Sequence, residues 1–469
     1  MAAPIYHMFK MRRIYHKIWT VLKNRKCYSS SATSYILRLH ERGIFQSIFP
    51  PDSSPELARI LSSPQCVYSG FDPTADSLHI GNLLAVISLI HCQRGGHHPV
   101  ALVGSATALI GDPSGRDSER VPLSGEQIQS NTESINSSLH RIFTNHERFI
   151  WANSKKVLPK VRIVNNSEWY RDKNIIEFLS TVGRYFRMGP MLSRHSVQTR
   201  LTSAEGMSFT EFTYQLFQSF DWLHLLRQFN CKIQIGGNDQ LGNITSGYEL
   251  ITRVTEEKVF GLTVPLVTSE TGDKLGKSAG NAVWLNADRT SPYELYQFYI
   301  NLPDSSVEKF LKLFTFLSDS EITDIMKKQK LKPDSRVAQK KVAEQVVMLV
   351  HGETGLDQAR RWTEALWSGK AESLVNLDQS ELQLLFKNAP TVELLPEPDL
   401  TVCDMCMKAG CFPTESDADR IIKAGGLYIN HRRVTEPDFI LVHGEHILPN
   451  NVSLIRVGKK NYYVVKWLS

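Results

Sequence analysis

The sequence predicts an α/β domain with a mainly parallel sheet, followed by a helical region and a small C-terminal α+β module. Short apolar runs that end at glycine or polar turns alternate with helical patterns, which is typical of a parallel sheet whose strands are joined by helices. Repeated amphipathic turns from Ser291 to about Gly369 predict the helical region. A short helical pattern followed by alternating strands predicts the module at 402–469.

The individual elements follow from local patterns. The β-rich run Cys66–Phe71 ends at a glycine turn, and a helical pattern follows it from Leu78 to Gly95. Glu119 to His146 is polar and helical, so we interpret it as an excursion before the sheet resumes. Prolines predict a linker at 388–401. The other predicted elements are a short helix at Tyr35–Ile48, strands at Pro99–Gly104, Arg162–Asn165 and Lys232–Ile235, a helix at Thr414–Ala424, and strands at Leu427–Ile429, Val452–Val457 and Tyr462–Trp467.

Composition is that of an ordinary globular protein, with 42% hydrophobic and 22% charged residues in 469. No apolar stretch reaches the roughly 18 residues that a membrane helix needs, so we expect no membrane span. The net charge of +6 is concentrated at the N-terminus, since Met1–His40 holds eight basic and no acidic residues. The remainder has 46 basic and 48 acidic residues, so any contact with nucleic acid must come from local patches.

The N-terminal segment has a targeting pattern. Ile14, Ile18 and Leu22 recur at helical spacing among basic residues, and serines follow at Ser29–Ser31. A basic, acid-poor, amphipathic and Ser-containing segment is typical of a transit peptide, whereas a secretory signal needs an apolar stretch that lysines interrupt here. We expect 1–34 to be a mitochondrial transit peptide and the protein to work in the mitochondrial matrix. The alternative is a disordered basic tail that binds RNA.

The seven cysteines are scattered along the chain. This distribution does not indicate a set of disulfide bonds and is compatible with a reducing compartment. Cys403 and Cys406 form a C-x-x-C with Cys411 nearby. A zinc site needs a second pair of ligands at regular spacing, and none is evident. The spacing also suits the buried face of a helix, so we expect no metal site.

Three segments carry chemistry. Tyr68–Thr74 ends a strand at a glycine and leads to His79–Asn82, which opens a helix where anions are favoured. Gln234–Gln240 again leads from a strand into glycines, followed by a carboxylate that can accept hydrogen bonds from ribose. Lys274–Ser278 places two lysines in a Gly-containing loop. Each segment alone is also compatible with an ordinary turn or a solvated loop.

Together and in this order, the segments resemble class I aminoacyl-tRNA synthetases. His79–Asn82 resembles the HIGH signature, and Lys274–Ser278 resembles the KMSKS loop. Further segments are similar to bacterial-type tyrosyl-tRNA synthetases, and the resemblance covers nearly everything from about residue 35 to the end. These segments are Tyr68–Asn82, Gly104–Gly115, Phe209–Asp221, Gln234–Gly242, Trp284, Ser291–Glu294 and Gly458–Tyr463.

The resemblance implies a domain order. A Rossmann-like catalytic domain is expected at 35–290, with a connective insertion at about 119–225. An α-helical anticodon-binding domain is expected at 291–387. After the linker, an S4-like RNA-binding domain is expected at 402–469.

The resemblance also implies a reaction: L-tyrosine and ATP form tyrosyl-adenylate and pyrophosphate, and tyrosine then passes to the 3′-terminal adenosine of mitochondrial tRNA(Tyr). The carboxylate of the amino acid attacks the α-phosphate, so the protein must position the substrates and stabilise charge. Mg²⁺ is expected with ATP. Asn82 departs from the usual second histidine; its amide can donate an N–H but cannot become cationic. The implied catalytic residues are His79, Asn82, Lys274 and Lys277.

Roles in substrate binding are likewise implied by the resemblance. Tyr68 and Asp221 are expected to bind the phenolic hydroxyl, and phenylalanine would leave both unpaired. Tyr214, Gln218 and Asp221 share one helix face, a spacing that ordinary packing would also produce. The remaining tyrosine-site residues are Asp112, Gln234 and Gln240. The expected ATP-binding residues are Gly70, Asp72, His79, Gly237, Asp239 and Lys277.

Two partners besides the substrates are expected. By the resemblance, the chain forms a homodimer through the segment around Gly183–Arg200. Its other expected partner is tRNA(Tyr), which would contact local basic residues of the C-terminal module. These are Arg420, Lys423, Arg432, Arg433, Lys459 and Lys460.

Three alternatives remain open. Tryptophanyl-tRNA synthetases share the fold and both signatures, but Asp221 with Tyr68 favours a phenol, since an indole N–H is only a donor. A small-molecule nucleotidylyltransferase can carry a similar histidine motif, although the chain length and the RNA-binding tail argue against it. A synthetase-derived RNA-binding or splicing factor is supported by Asn82 alone and opposed by the intact lysine loop.

Overall fold

The structure is a computed structural model, which describes residues 38–116, 118–267, 282–367, 371–386, 389–458 and 461–468. The chain divides into two compact units, one ending at Glu353 and the other beginning at Thr354. In the described part of the chain, no helix is long and apolar enough to cross a membrane.

The first unit is built on a six-stranded sheet in the order β1-β6-β5-β2-β3-β4. Every neighbouring pair is parallel except β1 and β6, which are antiparallel. The predicted parallel sheet is therefore confirmed. The strands are β1 Ser47–Phe49, β2 Cys66–Phe71, β3 His98–Val103, β4 Arg162–Asn165, β5 Cys231–Gly237 and β6 Phe260–Val264.

Helices cover this sheet and continue beyond it. They are α1 Ser54–Ile60, α2 Ile80–Arg94, α3 Ser105–Ile110, α4 Gly125–Asn145, α5 Ser167–Tyr170, α6 Ile175–Thr181, α7 Met188–Leu192, α8 His195–Leu201, α9 Phe209–Phe229, α10 Leu241–Thr255, α11 Pro292–Ile300, α12 Asp304–Phe314, α13 Asp319–Leu331 and α14 Val337–Trp367.

Close packing of α9 on α10 fixes the helix that bears much of the predicted tyrosine pocket. A Cβ atom on Gly247 of α10 would lie 2.7 Å from the Trp222 ring of α9, so only glycine fits. Trp222 is fully buried and its indole N–H donates to the Cys231 carbonyl of β5 at 3.1 Å. Because buried side chains pack without voids, these contacts fix the position of α9 relative to the sheet.

The second unit contains a five-stranded sheet in the order β7-β11-β10-β8-β9. The unit begins within α14, which leaves helical geometry at Gly352 with φ of 73°. Its elements are α15 Ala371–Val375, α16 Gln379–Leu385, β7 Thr391–Leu394, α17 Val402–Lys408, α18 Glu415–Lys423, β8 Leu427–Ile429, β9 Arg432–Val434, β10 Val452–Val457 and β11 Asn461–Trp467.

Several sequence predictions need correction. The predicted linker contains β7, which pairs parallel with β11, so proline spacing concealed a short edge strand. The predicted helix at Tyr35–Ile48 is helical only at 38–41 among its described residues, and Ser47 begins β1. Strands β6 and β9 were not predicted. Cys403 and Cys406 are buried on α17, which confirms the interpretation as a helix face. The domain limits remain predictions.

Candidate active site

A cavity of about 580 Å³ opens where the carboxyl ends of β2, β3 and β5 meet. Parallel strands bring their carboxyl ends to one edge of a sheet, and ligands bind there in open α/β sheets. All predicted site residues within the described chain line this cavity. Lys274 and Lys277 lie outside the described residues. The lining residues that the sequence predicted are Tyr68, Gly70, Asp72, His79, Asn82, Asp112, Tyr214, Gln218, Asp221, Gln234, Gly237, Asp239 and Gln240.

His79 and Asn82 together cap the first turn of α2. His79 Nδ1 accepts hydrogen bonds from the backbone N–H groups of Gly81 at 3.0 Å and Asn82 at 3.3 Å. Asn82 Oδ1 accepts from the backbone N–H of His79 at 3.1 Å. Because Nδ1 is the acceptor, the proton of a neutral imidazole must lie on Nε2. His79 thus presents a ring N–H donor, and Asn82 retains its amide N–H groups.

The segment that follows the predicted lysine loop is held against this helix start. The backbone N–H of Ile80 donates to the Val283 carbonyl at 3.1 Å, and that of Leu285 donates to the Leu78 carbonyl at 2.8 Å. The Trp284 ring then meets the His79 ring edge-on, with centroids 6.3 Å apart. These contacts restrict the orientation of the imidazole.

Asp221 lies on α9 with only 2% of its surface exposed. Its Oδ2 accepts from Asn166 Nδ2 at 3.1 Å, and its Oδ1 accepts from Trp169 Nε1 at 2.9 Å. Burial raises the pKa of Asp221 to about 7, and these hydrogen bonds oppose the rise without cancelling it. A further donor arriving from the cavity would stabilise the carboxylate.

Two buried polar groups that line the cavity have no hydrogen-bond partner among the described residues: the Tyr68 hydroxyl and Gln234 Oε1. Tyr68 is 1% exposed and Gln234 is 3% exposed, yet both line the cavity. Buried polar atoms are usually paired, so unpaired ones facing a cavity indicate a polar ligand. Burial and the nearby Asp221 charge raise the pKa of Tyr68, which keeps its hydroxyl neutral.

Asp72 links β2 to α9 and α3. Its Oδ2 accepts from the Tyr214 hydroxyl at 2.7 Å, and its Oδ1 accepts from Thr107 Oγ1 at 2.8 Å. Burial raises the pKa of Asp72 to about 6 against the effect of these two bonds. Gly104 makes room for the arrangement, because a Cβ atom there would lie 2.0 Å from Asp72 Oδ1.

The Asp112 carboxylate accepts three hydrogen bonds. Its Oδ1 accepts from the Ser114 N–H at 3.0 Å and from Asn243 Nδ2 at 3.2 Å, and its Oδ2 accepts from Gln240 Nε2 at 2.6 Å. Asn243 Nδ2 also lies 3.1 Å from Gln240 Oε1. The carboxylate is therefore fixed in position at the cavity wall.

Two glycines differ in the space beside them. A Cβ atom on Gly70 would meet nothing within 4 Å, so the strand end leaves open room in the cavity. A Cβ atom on Gly237 would lie 2.5 Å from Asp239 Oδ1. Gly237 thus allows the Asp239 carboxylate to approach the backbone.

Comparison with known proteins gives the family. Residues 62–368 match the model described as tRNA synthetases class I (W and Y). Residues 381–465 match the C-terminal domain of SYY-like tyrosine–tRNA ligases, which separates tyrosine from tryptophan enzymes. The chain belongs to the class I tyrosyl-tRNA synthetases.

The relatives of this chain include mitochondrial and bacterial proteins. It is 53% identical to the mitochondrial tyrosine–tRNA ligase of Drosophila melanogaster, over 94% of this chain and 96% of the relative. It is 44% identical to tyrosine–tRNA ligase 1 of Bacillus subtilis, over 86% and 92%. A truncated mitochondrial tyrosyl-tRNA synthetase structure from Aspergillus nidulans matches with a TM-score of 0.65 and 31% identity, covering 76% of this chain and 99% of that one.

The sequence did not reveal the residues that contact the pocket side chains from behind. Asn166 and Trp169 contact Asp221 across more than fifty positions of sequence, and Asn243 contacts Asp112 across more than a hundred. Thr107 was part of a matching segment, without an expected role. Such contacts depend on tertiary placement, and a single sequence carries no local signal for them.

Proposed function

We propose that this chain activates L-tyrosine with ATP and then transfers it to the 3′-terminal adenosine of tRNA(Tyr). The single observation that carries the choice of amino acid is the buried group formed by Asp221 and the Tyr68 hydroxyl. A phenolic O–H entering there can donate to the carboxylate and accept from Tyr68. Phenylalanine would leave the buried Tyr68 hydroxyl unpaired and would bring no further donor to Asp221, which is strongly unfavourable.

The other end of the amino acid is assigned to the opposite side of the cavity. A tyrosine ammonium group needs acceptors, and Asp112, Tyr214 and Gln218 are assigned to it. Gln234 and Gln240 complete the proposed tyrosine site. In this orientation the substrate carboxylate faces the open side of the cavity, where it can attack the α-phosphate.

ATP is assigned to the edge formed by Gly70, Asp72, Gly237 and Asp239. Gly70 leaves space for the nucleotide, and the Asp239 carboxylate can accept from ribose hydroxyls. The Nε2–H of His79 and the amide of Asn82 at the start of α2 are donors for phosphate oxygens, as expected at a helix N-terminus. Lys274 and Lys277, outside the described residues, would add positive charge over the pyrophosphate.

Catalysis in this scheme needs no protein nucleophile. The tyrosine carboxylate attacks the α-phosphate and pyrophosphate leaves, so the protein contributes positioning and charge stabilisation. Among the described residues no group of three or more His, Cys, Asp or Glu is placed to hold a metal ion. Mg²⁺ is proposed to arrive with ATP, since Mg²⁺ usually keeps several waters and binds through substrate phosphates.

A homodimer is proposed through the segment around Gly183–Arg200, with a second copy as the occupant. Met188 and Leu192 lie in this segment, with 58% and 36% of their surfaces exposed. Exposed apolar surface of this kind marks interaction sites. Sedimentation of the full chain should give a dimer, and Met188→Asp should shift it toward monomer.

The mitochondrial matrix is the proposed location. The relatives from fly, rat, mouse and human carry mitochondrial names, and the basic acid-free segment 1–34 fits import. Residues 1–34 fused to a fluorescent protein should direct it to mitochondria. A diffuse cytosolic signal would contradict this proposal.

The decisive experiment is ATP–pyrophosphate exchange with each of the twenty amino acids. Exchange that depends on tyrosine alone is the expected result. Exchange with tryptophan would overturn the assignment of Tyr68 and Asp221. Folded protein that gives no exchange with any amino acid would favour a non-catalytic RNA-binding role.

A further inference from the structure

We propose that Asn243 is a positioning residue that sets the hydrogen-bond direction of the Asp112–Gln240 pair and thereby the affinity for tyrosine. The inference rests on the proposed function, because it deepens the assignment of Asp112 and Gln240 to the amino acid. Asn243 lies on α10 and is 4% exposed. It acts through its two neighbours on the cavity wall.

The Asn243 amide is surrounded by acceptors. Its Nδ2 lies 3.2 Å from Asp112 Oδ1, 3.2 Å from Ser114 Oγ and 3.1 Å from Gln240 Oε1. Turning the amide over would place its carbonyl oxygen against a carboxylate and a second carbonyl, which would repel it. The Asp112 charge therefore fixes which end of the Asn243 amide faces inward, since an amide nitrogen only donates.

Asn243 in turn fixes Gln240. Because Gln240 Oε1 accepts from Asn243, its Nε2 is directed at Asp112 Oδ2, 2.6 Å away. A reversed Gln240 would bring its oxygen to the carboxylate instead. Gly236 leaves the room for this side chain, since a Cβ atom there would lie 2.9 Å from Gln240 Cβ.

The consequence is a carboxylate held in one orientation before the substrate arrives. Donors from Ser114, Asn243 and Gln240 hold both of its oxygens. A carboxylate offers about four acceptor directions, so a direction stays open for an ammonium group in the cavity. This preorganisation affects the binding of the amino acid, whereas ATP is assigned to the other edge of the cavity.

Three substitutions separate this role from simple space filling. Asn243→Asp keeps the shape but replaces the donor by an acceptor, Asn243→Ala removes both shape and donor, and Asn243→Ser keeps one O–H donor in a smaller side chain. Positioning by donation predicts that the KM for tyrosine rises most for the aspartate variant and least for the serine variant. A role in packing predicts the reverse, with the isosteric aspartate mildest.

The measurement is steady-state ATP–pyrophosphate exchange on the full-length protein. Asn243→Asp should raise the KM for tyrosine by about tenfold to a hundredfold, as expected for loss of hydrogen bonds to a charged group. The KM for ATP should stay within about twofold. At lower pH the defect of Asn243→Asp should shrink, because a protonated carboxyl can donate again.

Asn145→Ala is the matched control. This amide also donates inside the first unit, from Nδ2 to the Leu349 carbonyl at 3.1 Å, and Asn145 is not among the described residues that line the cavity. It should lower the melting temperature without changing the KM for tyrosine.

Two failures are distinguishable. Wild-type protein without tyrosine-dependent exchange would overturn the proposed function itself. Wild-type exchange with variants ranked by volume, or with the KM for ATP rising as much as that for tyrosine, would overturn only the role of Asn243.

Discussion

At the scale of single residues, the proposed role of Asp221 makes binding of a phenol depend on the ionisation of its carboxyl group. Burial raises its pKa to about 7, and a phenolic O–H donated from the substrate favours the ionised form. Tyrosine affinity should therefore be full above pH 7 and fall as the pH drops below it. Since each unit below the pKa leaves about tenfold less carboxylate, the KM for tyrosine should be about tenfold higher at pH 6 than at pH 8.

The control for this pH dependence is Asp221→Asn, which has no group to titrate there. Asp72 is unchanged in that variant. Burial raises the pKa of Asp72 to about 6, so its titration occurs about one pH unit below that of Asp221. Exchange kinetics for tyrosine between pH 5.5 and 8.5 give the profile. A KM for tyrosine that does not change in the wild type over this range would contradict the assignment.

Asn82 gives a second prediction at this scale. Its Oδ1 caps the His79 N–H, and an imidazole Nδ1 at the same position can accept that bond while its other nitrogen donates. Asn82→His should therefore keep tyrosine-dependent exchange within about tenfold, because one neutral hydrogen bond replaces another. Asn82→Ala, which loses the cap, is the comparison. A thousandfold change in either direction for Asn82→His would contradict the prediction.

At the scale of elements, β2, β3 and α3 meet at a place with no spare volume. A Cβ atom on Gly104 would lie 2.0 Å from Asp72 Oδ1 and 2.3 Å from Thr107 Oγ1. Gly104→Ala should thus displace the Asp72 carboxylate from Thr107 and Tyr214 and lower kcat/KM by at least about tenfold. Gly125→Ala, at a position with nothing within 4 Å, should leave exchange unchanged. Equal activity of the two variants would contradict this account.

Elements with a strong local signal were predictable. Strands β2, β4, β8 and β10 have the predicted limits, because each is an apolar or β-branched run bounded by turn residues. Strand β7 was hidden by neighbouring prolines and exists through its pairing with β11. A strand that is stabilised mainly by pairing with a segment distant in sequence cannot be inferred from its own residues.

The candidate site shows the same division. Residues such as His79 and Asp221 belong to contiguous motifs, and the structure brings them to one cavity. The residues that support them, such as Asn166 and Asn243, reach the site through long-range contacts of the folded chain. Local sequence therefore predicts the cavity wall better than the layer behind it.

At the scale of the whole molecule, several histidines are buried in uncharged form. Burial lowers the pKa of His146 and of His351 to about 3, and that of His97 to about 4. His146 is fully buried, and neither ring nitrogen has a hydrogen-bond partner among the described residues. Its ring lies 4.8 Å from Phe316, and the positive charge of Arg94 nearby further disfavours protonation.

The sign of the resulting pH dependence follows from linkage. A histidine in the unfolded chain has a pKa near 6.5, whereas these histidines have lower pKa values in the folded protein. Their contribution to the free energy of unfolding is therefore full above pH 6.5 and is lost as the pH drops toward the folded pKa. For His146 the loss at pH 5 should be about 2 kcal/mol. His146→Gln should reduce the fall in unfolding free energy between pH 7.5 and 5 by that amount. Urea unfolding at both pH values gives the comparison, and an equal fall in His146→Gln and wild type would show that His146 does not contribute to acid sensitivity.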